Sequence, residues 1–189
     1  MSALTTADAR RQGVARTGML AALASETVFF GTLLSAYLFM RLGQPGWPQI
    51  AATSARLMLP VLNTAVLVVS ALAVTLGERA VARGSQRGLA AGLAAALMLG
   101  LVFVGGQILE FSSNGMRPSD QGFGGVFFTL MGFHALHVLA GVVILGINLV
   151  RARLGDFSPA RHIAVTMGTW FWIYVTAVWL AMFVGLYLI

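Results

Sequence analysis

Read for the alternation of apolar and polar positions, the chain divides into five long apolar runs separated by short polar breaks. The runs are Gly18–Met40, Leu57–Leu76, Gly88–Leu109, Gly122–Val150 and Ile163–Ile189. None shows the period-two alternation of a half-buried strand, and each approaches or exceeds the ~20 apolar residues that a bilayer-crossing helix needs. The fourth run would extend ~43 Å as one helix at ~1.5 Å per residue, so it must tilt or project beyond a hydrocarbon layer ~30 Å thick. The breaks are rich in residues that end helices: Gly43-Gln44-Pro45-Gly46-Trp47-Pro48, Arg83-Gly84-Ser85, Arg117-Pro118-Ser119-Asp120 and Phe157-Ser158-Pro159. The pattern predicts an all-α integral membrane bundle of five transmembrane helices at about 18–40, 57–76, 88–109, 122–150 and 163–189, preceded by a tail over residues 1–17.

Composition strengthens this reading. Of 189 residues, 58% are hydrophobic and only 10% are charged, whereas a soluble domain is about a quarter charged. Charge then orients the bundle. All twelve cations are arginines, nine of which flank one side: Arg10, Arg11, Arg16, Arg79, Arg83, Arg87, Arg151, Arg153 and Arg161. Arg41, Arg56 and Arg117 flank the other. The excess marks the cytoplasmic side, so the 1–17 tail is expected in the cytoplasm and the C-terminus outside. The net charge of +6 is spread over topology-setting positions, forms no dense patch, and does not point to nucleic acid. The Arg10-Arg11 pair is similar to a twin-arginine signal, but the run behind it is longer than the 7–15 apolar residues of a cleaved signal and carries Glu26. That run is expected to stay as the first span.

With no cysteine, disulfides, thiolate ligands and cysteine nucleophiles are excluded. The polar residues inside the spans are few. Glu26 is the most informative, because a charged group at mid-membrane costs ~2.5–3.5 kcal/mol on insertion scales. It is expected to face the fourth or fifth helix, protonated or hydrogen-bonded. His134 and His137 lie three apart and share a helix face. With His162 predicted at a cytoplasmic end, they fall short of the three or four ligands of a closed metal site. Gln107 and Glu110 close the third helix one turn apart, Glu110 as a solvated acid or a partner of Arg117. Asn63, three after Pro60, is placed to satisfy carbonyls freed by that proline. Trp170, Phe171, Trp172 and Tyr174 read as an interfacial anchor unless they pack against a partner. Gly88 with Gly92, and Gly141 with Gly146, suit close helix approach. No residue set suggests a catalytic centre, a metal site or a bound cofactor in this chain.

Taken as a series, these motifs resemble subunit III of the haem-copper respiratory oxidases. Ser25-Glu26-Thr27-Val28-Phe29-Phe30-Gly31 is similar to the family's Ser-Glu-x-x-Phe-Phe helix. Pro60-Val61-Leu62-Asn63-Thr64, Gln107-x-x-Glu110-Phe111 and Phe123-Gly124-Gly125-Val126-Phe127-Phe128 follow in order. Gly132-Phe133-His134-Ala135-Leu136-His137-Val138 resembles the family's Gly-Phe-His-Gly-Leu-His-Val, and Trp170-Phe171-Trp172 with Trp179 resembles its last helix. The resemblance covers nearly everything after the tail and includes a five-helix form with the orientation deduced above.

It implies a cofactor-free, non-catalytic subunit of a cytochrome c or quinol oxidase in the bacterial cytoplasmic membrane. Such a subunit packs on the haem-bearing subunit I, supports its stability and proton uptake, and binds phospholipid; haem and copper belong to the partner subunits. The polar and tryptophan positions Glu26, Asn63, Gln107, Glu110, His134, His137, Trp170, Trp172 and Trp179 are then expected as buried, subunit-contact or lipid-linked sites. The family's last helix carries ionisable residues where this chain has Thr166, Ile173 and Thr176. That departure leaves open a subunit-III-like accessory protein of a nitric oxide reductase. A stand-alone small transporter is the alternative of another class, although the broken helices and inverted repeats typical of transporters are not evident.

Overall fold

The computed structural model describes residues 6–43, 54–114 and 123–188. Over these residues the chain forms five helices: α1 Thr6–Gly43, α2 Ser54–Ala82, α3 Gln86–Asn114, α4 Phe123–Arg153 and α5 Ile163–Phe183. Residues Val184–Leu188 continue α5 as a π-helical turn. All five helices are long and apolar enough to cross a membrane, so this is a multi-pass membrane protein. The helices outrun the apolar segments, because backbone hydrogen bonding continues into their polar flanks. The clearest case is α1, which begins at Thr6 inside the expected tail and runs 38 residues.

Successive helices alternate in direction. The closest pair is α2 with α3; α4 packs on α3, α5 fills the angle between α2 and α4, and α1 leans on α4 and α5. The α2–α3 contact depends on glycine. A Cβ on Gly92 would sit 2.6 Å from the Gly77 Cα, and one on Gly88 would sit 2.6 Å from the Ala80 side chain. Small residues let two backbones approach where lipid offers no hydrophobic drive to press helices together. Gly141 serves a different neighbour: a Cβ there would lie 2.5 Å from the Trp172 ring. Among the described residues a Cβ on Gly146 would meet nothing within 4 Å, so its expected packing role is not observed there.

The two described connections lie at the arginine-rich end, and each turns at a left-handed glycine in its second position. Gly84 has φ +86° and Gly155 has φ +79°. Ser85 N donates to Ala80 O (2.9 Å) and Gly84 N to Val81 O (2.9 Å), the paired bonds that close a helix C-terminus. Ser85 then caps α3 by accepting the Gly88 N–H on its Oγ (3.1 Å). In the second connection Gln86 Nε2 donates to Phe157 O, and the Arg151 guanidinium lies 4.9 Å from the Phe157 ring centre. Gln12 Nε2 donates to Ala160 O (3.3 Å), fastening the start of α1 to this same end.

Candidate functional site

The chain's polar chemistry collects along the seams that α4 and α5 make with α1, α2 and α3. Glu26 on α1 meets His137 on α4, with Oε2 to Nε2 at 3.1 Å. His137 Nδ1 lies 2.7 Å from Phe133 O. A carbonyl only accepts, so Nδ1 carries a proton and donates it. The Nε2–Oε2 contact then holds a single proton, either as a carboxylic O–H donating to a neutral imidazole or as an imidazolium N–H donating to a carboxylate. Phe30 meets the His137 ring edge-on at 5.0 Å, and Phe171 of α5 stacks against it at 6.3 Å. The pair is not sealed inside the bundle: the Glu26 side chain is 35% exposed and that of His137 19%.

His134 lies one turn away but in other surroundings. It is 2% exposed and stacks on Trp179 at 5.3 Å with an interplanar angle of 29°. The i,i+3 spacing thus sends one histidine into the core and leaves its neighbour at the α1 seam. Among the described residues, no three His, Asp or Glu side chains form a group able to hold a metal ion.

The tryptophans of α5 act as internal struts. Trp172 and Trp179 are fully buried, and their indole N–H groups donate to Ser70 Oγ (3.0 Å) and Thr64 Oγ1 (2.9 Å) on α2. Burial with a satisfied N–H places them in the core rather than in an interfacial belt; Trp170 is half-buried. Ser70 passes the chain on by donating to Ala96 O of α3 (2.8 Å). Asn63 also reaches across, donating from Nδ2 to Phe103 O of α3 (3.1 Å). Asn63 is thus engaged with α3 rather than with its own helix, while the Thr64 hydroxyl donates back to Pro60 O (2.7 Å), one turn earlier in α2.

At the arginine-poor end, Glu110 is buried at 5% exposure rather than solvated. It accepts hydrogen bonds from Tyr187 of the π turn and from Gln107 Nε2 (3.3 Å). Arg117, its other expected partner, lies outside the described residues. Arg41 Nη1 donates to Tyr37 Oη (3.1 Å) and Leu186 O (3.3 Å), tying the far end of α1 to α5. Thr166 and Thr176 face inward, Thr176 donating to Trp172 O (2.9 Å). Ile173 faces outward and is 42% exposed.

Sequence reasoning missed Ser70, Thr64, Tyr187 and the Tyr37–Arg41 pair. Ser70 offered a signal, as a hydroxyl with apolar residues at 65–69 before it and 71–74 after it. Tyr187 offered none, because its partner Glu110 is 77 positions away.

The family model described as cytochrome c oxidase subunit III matches residues 5–189. The chain is 32% identical to a cytochrome c oxidase subunit 3 of Thermostichus vulcanus over 91% of its own length and 86% of that protein's. It is also 32% identical to a probable cytochrome c oxidase subunit 3 of Nocardia farcinica, covering 95% of this chain and 90% of the relative. The corresponding subunit of the baboon Papio hamadryas is 30% identical over 91% of this chain and 68% of its own. With a match across nearly the whole length, this chain belongs to the cytochrome c oxidase subunit III family.

Proposed function

We propose that this chain is the non-catalytic third subunit of a haem-copper terminal oxidase in aerobic respiration. It sits in the bacterial cytoplasmic membrane with its arginine-rich end inside, packs on the haem-bearing subunit I, holds phospholipid at its surface, and supports that partner's stability and proton uptake. The observation that carries the reading is the family match over residues 5–189. The half-exposed Glu26–His137 pair supports it. A hydrogen-bonded pair that can hold one proton is costly against acyl chains, so its open side favours cover by another subunit. Oxidase is preferred to nitric oxide reductase because the relatives above are named as cytochrome c oxidase subunits. Affinity purification through a tag on this chain tests the proposal. Recovery of a complex with haem and copper that reduces oxygen supports it. A complex that reduces nitric oxide but not oxygen, or a haem-free chain from gently solubilised membranes, contradicts it.

A further inference from the structure

A cavity of about 220 Å3 lies between α3 and α4 toward the arginine-poor end, bordered by Phe103, Val104, Gln107, Met131, His134 and Ala135 among others. Its wall is apolar except at His134 and Gln107. Among the described residues, neither ring nitrogen of His134 has a hydrogen-bond partner, although the residue is 2% exposed. The other two histidines are both bonded, His137 to Phe133 O and Glu26, His162 to Ser158 O. A neutral imidazole offers one donor and one acceptor, and burying both unpaired is expensive. The aromatic neighbours do not satisfy it: Trp179 stacks on the ring face, while Phe103 and Phe30 stand edge-on at 6.4 and 6.3 Å.

We propose that this cavity is a water-binding site, in which ordered water bonds the imidazole of His134 and the amide of Gln107. Turning the imidazole over about its Cβ–Cγ bond exchanges ring nitrogens with ring carbons in the same volume, so the nitrogens can take either edge of the ring. The volume exceeds several times the ~30 Å3 share of one liquid water. A buried water needs at least two polar partners, which His134 and Gln107 supply at one end. Gln107 is already bonded to Glu110, and Glu110 to Tyr187. Water at this end would extend that buried polar chain from the π turn inward to His134. An acyl chain entering past the exposed Ile108 and Leu139 is the competing occupant. It would fill the apolar wall but leave the imidazole unpaired.

The test uses the intact complex in lipid, with 15N-labelled histidine in this chain. The chain contains three histidines, so His134→Gln identifies the His134 signals by their loss. Solid-state NMR should show a His134 ring nitrogen in contact with water protons. His134→Leu, of similar bulk but without polar atoms, should then lower the unfolding midpoint by several degrees, while His134→Gln keeps most of it. Contact with lipid methylene protons in place of water would overturn the proposal. So would a ring nitrogen without water contact, together with a His134→Leu variant as stable as the parent.

Discussion

Glu26 and Glu110 show what one residue can disclose about itself. Both are carboxyls in apolar helices, and both prove to be hydrogen-bonded across helices. Glu26 was legible as a residue in need of a partner because it is the one charged residue in the apolar run 18–40. Glu110 resembled an ordinary helix-end acid, since nothing local announces Tyr187. Trp172 departed from the interfacial reading for the same reason: the preference of tryptophan for interfaces is a statistical tendency, overruled when the indole N–H finds Ser70 inside the bundle. At Glu26 the single shared proton gives a sharp expectation. Glu26→Gln keeps a neutral hydrogen-bonding group against His137 and should cost no more than about 1 kcal/mol, the scale of such bonds between membrane helices. Glu26→Lys sets a cation beside the imidazole and removes the carboxyl that faced it, and should sharply reduce the yield of assembled complex. Thermal unfolding and recovery after purification measure both. Equal recovery of the two variants would show that the contact is not made. Trp172→Phe should cost about 2 kcal/mol, from lost apolar contact and the lost indole N–H bond to Ser70; an unchanged unfolding midpoint would count against the strut role.

Helix existence was readable from run length, but helix ends and pairings were not. Hydrophobicity falls off where α1 leaves the apolar layer, yet its hydrogen-bond ladder continues back to Thr6. Glycine spacing pointed to close contacts without naming the partner: Gly92 turned out to meet Gly77, Gly141 to seat Trp172, and Gly146 to meet nothing. These differences become measurable through one added methyl group. Gly92→Ala drives a Cβ into the α2 backbone, and Gly141→Ala drives one into a buried ring that is itself hydrogen-bonded. Each should cost about 1–3 kcal/mol as overpacking. Gly146→Ala has open space and a gain in helix propensity of up to about 1 kcal/mol, so it should be neutral or stabilising. Unfolding midpoints in one detergent or lipid rank the three, and a Gly146→Ala defect as large as that of Gly92→Ala would contradict the packing described here.

At the scale of the whole molecule, α1 stands apart. Only 6% of its most apolar stretch is buried within the chain, against 28–44% for the other spans. It is held by polar ties at three heights: Gln12 to Ala160 O, Glu26 to His137, and Arg41 to Leu186 O. A helix attached in this way leaves most of its surface to lipid or to another subunit, as the proposed role requires. The arginine asymmetry adds an orientation, and a reporter fused after Ile189 should read as external; a cytoplasmic reading would reverse the topology. The most direct test of the accessory role is deletion of this chain from the complex, followed by the haem spectrum, the initial rate of oxygen reduction and the activity over many turnovers. The expected result is an unchanged haem spectrum and a near-normal initial rate that decays with turnover, restored by adding the chain back. Loss of a haem band that returns only with this chain would place a redox centre here and contradict the accessory role.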